Sequence, residues 1–182
     1  MNIMGVDQSL TGTGVAVFAD GEEHYYLLDT SRTKNTKAPT IDYTRRLMQL
    51  KSEVKKLIKK HKITHICMEG MAFGARGQAI FDIGGLSHIF REAFIEEGIE
   101  FIIAPPKTIK KYFTGSGNAD KLAMIEECQK RGANIPFFKT IKKQRVFDDN
   151  VSDAFALASF MQDYLDGNAK DFEDKVEKSW DK

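Results

Sequence analysis

Three β-type runs are crowded into the first thirty residues, at 2–7, 12–18 and 23–30. So few residues separate them that they can only pair antiparallel, because a parallel crossover needs a dozen residues or more. Asp20-Gly21 marks a tight turn between the second and third. After this meander the pattern alternates between strand and helix. Leu47, Leu50, Val54, Leu57 and Ile58 recur at helical spacing within 40–61. A fourth strand is expected over 64–69. Ile83, Leu86, Phe90 and Phe94 stripe a further helix that Gly98 ends. A fifth strand, Glu100–Ala104, is stopped by Pro105-Pro106. Short helices are expected over 107–113 and 119–131. A last helix, 147–164, has Val151, Ala154, Phe155, Ala158 and Met161 on its inner face. A meander followed by alternation predicts an α/β fold, one five-stranded mixed sheet with helices on both faces.

A chain of 182 residues can bury one real core but not two sizeable ones. It is expected to form one domain over 1–165 and an acidic tail over 166–182, the tail loosely helical or disordered. No apolar run approaches a membrane span, no secretory signal is recognisable, and no membrane partner is expected. Cys67 and Cys128 have neither metal-ligand spacing nor a disulfide framework, so a reducing cytoplasm fits, with Cys67 a buried thiol. The net charge of +1 hides an asymmetry: residues 163–182 carry seven acids against four lysines, which leaves 23 basic against 19 acidic residues in the body. The basic residues gather at 51–62, 107–111 and 139–145, as phosphate contacts or as solvated helix faces.

Carboxylates stand where the elements begin and end. Asp7 closes the first strand, Glu69 closes the fourth, and Asp149 and Asp153 open the last helix. Asp149 and Asp153 are four residues apart and share a helix face, an unfavourable spacing for like charges unless a cation lies between them. Each has an ordinary alternative: a turn Asp at 7, an exposed strand end at 69, a helix N-cap at 149 and a dipole partner at 153. Together, on separate elements, they form an oxygen set suited to Mg²⁺. Two such ions about 3.5–4 Å apart activate water and stabilise the leaving oxygen of a phosphodiester. Phe73, on a glycine-flanked loop, is either a core anchor or a ring for stacking on an unpaired base. Arg76, on the same loop, is a candidate to hold a phosphate. Lys110 and Lys121 flank the flexible stretch Gly115-Ser116-Gly117-Asn118 and, with Lys107, are suited to a DNA backbone. Either Lys121 or Lys110 would stabilise charge on the phosphate. Gly12 and Gly14 serve backbone geometry. The histidines lack ligand spacing, and neither a P-loop nor a nucleophile elbow is present.

The chain resembles the RuvC-type Holliday-junction resolvases of the RNase H-like superfamily, and the likeness spans about residues 2 to 165. It rests on Gly5-Val6-Asp7-Gln8-Ser9-Leu10-Thr11-Gly12-Thr13-Gly14, on Cys67-Met68-Glu69, on Gly115-Ser116-Gly117-Asn118-Ala119-Asp120-Lys121, and on Asp149-Asn150-Val151-Ser152-Asp153-Ala154-Phe155. The resemblance implies an RNase H-like sheet and a homodimer that binds a four-way DNA junction. It further implies symmetric nicks made with Mg²⁺ or Mn²⁺. By position, Asp7 and Glu69 match the first two catalytic acids and Asp153 the last. Phe73 matches the aromatic inserted at the junction, displaced by one residue, and Lys110 and Lys121 match basic residues near the scissile phosphate. Bacterial members carry the third acid where Asn150 stands here. Mitochondrial-type relatives use the spacing of Asp149, which favours Asp149 and leaves Asn150 as a weak ligand or a group behind the ligands. The compact, lysine-rich form is similar to phage-borne relatives. The helix striped by Ile83, Leu86, Phe90 and Phe94 is a candidate for part of the dimer interface, with core packing as the alternative.

Three other readings compete. An actin-like or hexokinase-like ATPase needs two lobes for which the chain is too short, so no nucleotide cofactor is expected. A non-catalytic binder of branched DNA has no use for the acids. A nuclease of the same fold acting on flaps or RNA–DNA hybrids would share every feature above.

Overall fold

The computed structural model describes residues 1–30, 34, 37–71 and 78–180. The elements are β1 (Ile3–Asp7), β2 (Thr13–Ala19), β3 (Glu22–Leu28), α1 (Pro39–Lys60), β4 (His65–Glu69), α2 (Gln78–Glu96) and β5 (Glu100–Ala104). They continue with α3 (Pro106–Thr114), α4 (Lys121–Lys130), β6 (Phe138–Ile141), β7 (Gln144–Phe147), α5 (Asp149–Leu165), a 3₁₀ turn Lys170–Lys175 and β8 (Glu177–Lys178). The main sheet runs β3-β2-β1-β4-β5-β8. The β1–β2 and β2–β3 pairs are antiparallel, as the short connections require, while β1–β4 and β4–β5 are parallel across α1 and α2. No helix among the described residues is long and apolar enough to cross a membrane.

Strand alternation divides the core in two. Ile3, Ala16, Cys67, Ile102 and Ala104 face one way and pack with α3, α4 and α5. Met4, Val6, Val15, Val17, Ile66 and Met68 face the other way and pack under α1 and α2. The same period of two carries Asp7, two residues beyond Gly5, and Glu69, two beyond Cys67, to the α5 side. The strands therefore deliver both carboxylates to one face without any help from loops.

Helix α5 lies directly on the backbone of the meander. A Cβ on Gly5 would come 2.1 Å from the carbonyl oxygen of Ala154 and 2.5 Å from the amide nitrogen of Ala158. On Gly14 it would come 2.1 Å from the carbonyl oxygen of Asn150. The absent side chains of Gly5 and Gly14 are what let the helix approach, and this contact sets Asp153 above the end of β1. The inner face of α5 is as expected, with Val151, Ala154, Phe155, Ala158 and Met161 all buried.

Four features depart from expectation. The sheet gains a sixth strand: β8 pairs antiparallel with β5, with Ile102 opposite Lys178 and Ile103 opposite Glu177. The tail is thus a short 3₁₀ helix, Lys170–Lys175, followed by this strand, where a loose helix or disorder is expected from the sequence. Phe172 packs edge-on against Tyr112 and Phe160, and Trp180 stands edge-on to His65 and Tyr164. Residue 147, expected to begin the last helix, instead ends β7 of a separate two-stranded hairpin. The N-cap of α5 is Asp148, whose side chain accepts from the amides of Asn150 and Val151; Asp149, the expected cap, is the first helical residue. Finally, Leu86, Phe90 and Phe94 are fully buried, so these three residues of the α2 stripe are core and not interface, while Ile83 is half-buried.

Candidate active site

The site lies where the C-terminal ends of β1 and β4 meet the first turns of α5. Asp7 is buried, and Glu69 and Asp153 are partly so. Burial holds the Asp7 carboxyl well above the usual range, and the nearby charges of Glu69 and Asp153 push it the same way. The Asp7 and Glu69 carboxyls lie within hydrogen-bonding reach of each other. Burial also raises Glu69, against the lowering effects of the Asp7 hydrogen bond and of Lys110. Asp153 is pushed up to about 7, first by burial and then by the charge of Glu69. Three acids from three elements therefore sit close enough to resist ionising together.

Cations ring them. The charges of Lys110 on α3, Lys121 at the start of α4 and Lys139 on β6 all reach Asp153 and favour its ionised form. The N-cap of α4, Asp120, accepts from the amide of Ala123 at 2.9 Å and fixes where Lys121 begins the helix. Asp149 is turned toward two of these lysines: its Oδ2 lies 2.5 Å from the Lys121 ammonium, and its Oδ1 pairs with Lys139. Lys139 was recognisable beforehand only as part of a basic cluster, and nothing in the local sequence marked it as a neighbour of the acids.

The scaffold around the acids is hydrogen-bonded. Gln8 donates its Nε2 to the carbonyl of Glu69 at 2.8 Å, tying the end of β1 to the end of β4. Asn150 donates its Nδ2 to the carbonyl of Gly12 at 2.6 Å, so its amide joins α5 to the β1–β2 turn. Arg46 braces the same turn from α1, donating to the carbonyls of Leu10 and Thr30 at 3.1 Å each. Gln8 stands in the first motif without a role of its own and Arg46 in none, because their partners are backbone carbonyls remote along the chain. Lys107 is exposed at the start of α3. Phe73 and Arg76 lie outside the described residues.

The donors at the site are all carboxylate oxygens, the kind of ligand that a hard divalent cation takes. Carboxyls with raised affinity for protons in a buried setting have uncompensated charge that a cation would satisfy. Among the described residues no three such side chains already enclose an ion-sized space.

A mixed sheet of this order, with carboxylates ending its two central strands and a third on the helix that crosses them, defines the class of RNase H-like nucleases. The family model described as Crossover junction endodeoxyribonuclease RuvC matches residues 3–159, and the chain belongs to that family. Among similar proteins, the crossover junction endodeoxyribonuclease RuvC of Salinibacter ruber is 28% identical over 160 residues, covering 87% of this chain and 83% of that protein. The protein of that name from Brachyspira hyodysenteriae is 25% identical over 159 residues, covering 87% and 91%. The fold matches Thermus thermophilus RuvC with a TM-score of 0.69 at 18% identity, over 92% of this chain and 98% of that one. It also matches the yeast mitochondrial Holliday junction resolvase Ydc2, with a TM-score of 0.59 at 14% identity over 94% and 81%.

Proposed function

We propose that this chain is a Mg²⁺-dependent endonuclease that binds four-way DNA junctions as a homodimer and resolves them by paired nicks. Membership of the RuvC family supports junction resolution. The observation that carries the chemistry is the convergence of Asp7, Glu69 and Asp153 beneath three lysines, with all three carboxyls shifted upward. Asp7, Glu69 and Asp153 would hold the ion, joined by Asp149 once its lysines find other partners. Asn150 is the weaker candidate for the third position, because its amide is already engaged with Gly12. Bound Mg²⁺, with Mn²⁺ as a substitute, supplies Lewis-acid activation of the phosphodiester.

The chain's own residues supply the rest. Bare carboxylates repel phosphate, so Lys110 and Lys121 draw the DNA backbone to the acids and offset charge developing on it. Gln8 and the Asn150–Gly12 bond hold the ends of β1, β4 and α5 in register while DNA binds. Phe73 and Arg76 are assigned to the DNA contact on the strength of the sequence.

Paired nicks need two sites related by a two-fold axis. The surface around the starts of α1 and α2 suits that role: Ile41 is 52% exposed, Met48 62%, Ile80 44% and Phe81 72%. Tyr43 binds the two helices together there by donating to the carbonyl of Asp82 at 2.8 Å.

The test is cleavage of an immobile four-way junction in Mg²⁺, with Asp7→Asn protein alongside and linear duplex, flap and RNA–DNA hybrid substrates in parallel. Paired symmetric nicks by the unaltered protein, and binding without nicks by Asp7→Asn, are expected. No cleavage in either Mg²⁺ or Mn²⁺ would refute the catalytic reading, and preferential cutting of flaps or hybrids would move the substrate elsewhere.

A further inference from the structure

We infer that the β6–β7 hairpin is a second DNA-binding element, an arm that grips the phosphate backbone of a duplex limb of the junction beside the acid cluster. This rests on the junction-endonuclease reading above and adds a site to it.

The three basic clusters of the chain are not equivalent. Four of the lysines on α1 are paired with acids within the protein, Lys56 with Glu53 at 2.7 Å on the helix itself. Lys51 lies 3.2 and 2.8 Å from Glu92 and Glu96, Lys55 lies 2.9 Å from both Glu96 and Glu97, and Lys59 lies 3.4 Å from Glu97. Those lysines tie α1 to α2. The second cluster sends Lys110 toward Glu69 and Asp153. The third cluster is the hairpin, which carries Lys139, Lys142, Lys143 and Arg145 and no acid from Phe138 through Phe147. Lys142, Lys143 and Arg145 are exposed, and among the described residues no carboxylate pairs with them.

Backbone and packing keep that charge outward. The turn places Lys142 at φ 48° and Lys143 at φ 67°. Two consecutive left-handed residues at a hairpin tip favour Asn-Gly, so a lysine pair holds charge there against the preference of the backbone. On one face of the hairpin, Arg145 stacks over the ring of Phe138 at 4.4 Å, which directs its guanidinium along the surface.

The arm is also joined to the site. The amide of Asp148 donates to the carbonyl of Phe137 at 2.9 Å, and Asp148 caps α5, so the base of the hairpin and the start of α5 are one piece. Lys139, on β6, reaches inward to Asp149 and stands 3.8 Å from Asp148. A strand advances about 3.4 Å per residue, which puts the tip about 10 Å beyond Lys139. That is the axial rise of about three base pairs of duplex. A limb with one phosphate at the acids therefore has further phosphates within reach of Lys142 and Lys143. Contacts of this kind read the backbone and not the bases, so the arm contributes affinity without sequence preference.

The test is junction binding as a function of salt, measured by fluorescence anisotropy without divalent ions and with Asp7→Asn in every protein to prevent cleavage. The double change Lys142→Asn and Lys143→Gly removes two charges while giving the turn the residues it favours, so the hairpin should survive. Lys56→Gln, whose ammonium is paired with Glu53 on the same helix, is the control. Each lost phosphate contact flattens the slope of log affinity against log salt by about 0.9. The double variant is expected to lose close to two in slope and at least tenfold in affinity at moderate salt, with an unchanged melting temperature, while the control keeps the parent slope. A double variant with the parent slope and affinity overturns the inference and leaves the junction reading intact. Failure of the Asp7→Asn parent to bind a junction at all overturns both.

Discussion

Replacing Asp153 with Asn should stabilise the metal-free protein at alkaline pH, although it removes one of the acids proposed to hold Mg²⁺. Asp153 is pushed from its ordinary 3.8 up to about 7 by burial and by Glu69. The folded state therefore holds its proton more tightly than the unfolded chain does. For a carboxyl raised in this way, the stabilising contribution is complete below the unfolded value and is lost as pH rises through about 7. At about 1.4 kcal/mol per pH unit, the difference bounds the cost of ionising Asp153 at about 4 kcal/mol. Asp7 and Glu69 share that strain and Asp153 is partly open to solvent, so about 2 kcal/mol is the working figure. In a chain of 182 residues, each kcal/mol moves the melting temperature by about 2–4 °C. Asp153→Asn should thus melt about 4–8 °C above the unaltered protein at pH 8 in EDTA, and level with it at pH 4. Mg²⁺ should narrow the difference at pH 8 by stabilising the unaltered protein alone. Calorimetry at pH 4 and pH 8, with and without Mg²⁺, measures all of this. A variant that melts at or below the unaltered protein at pH 8 in EDTA would refute the argument that these acids are held together against their own repulsion.

Three further outcomes follow from the geometry. Gly5→Ala drives a Cβ against the backbone of Ala154 and Ala158, where no flexible side chain can give way; overpacking of this kind costs about 1–3 kcal/mol or more. Thermal melts should show that loss, with junction cleavage abolished as α5 and Asp153 shift. Asp148→Ala removes the side chain that accepts from Asn150 and Val151, and should cost about 1–2 kcal/mol by chemical denaturation. Phe81→Glu places charge on a residue 72% exposed, so it should leave folding unchanged while sedimentation reports a shift from dimer to monomer; an unshifted dimer would remove this surface from the interface.

The sheet and the acids at its strand ends were legible in the chain because they depend on local periodicity. Short spacers compel an antiparallel meander, and a period of two places Asp7 with Gly5 and Glu69 with Cys67 on one face, whatever lies beyond. The family motifs added the order of the acids and the assignment of Asp153. What remained illegible was settled by contacts between distant segments. The Lys142-Lys143 turn has neither Gly nor Asn to announce it, so the sequence pattern shows no β6 or β7 and runs the last helix back to Phe147. Asp148 and Asp149 are chemically equivalent caps, and the pull of Lys121 and Lys139 on Asp149 comes from elements that sequence leaves unplaced. The tail reads as acidic and loose, yet Phe172 and Trp180 anchor it because the β5 edge and the α3–α5 surface stand ready to receive them. The sequence by itself determined which residues could bear the chemistry, since charge and periodicity are local properties. Only the tertiary structure decided which of them meet, because that depends on how closely α5 can approach the bare backbone of Gly5 and Gly14.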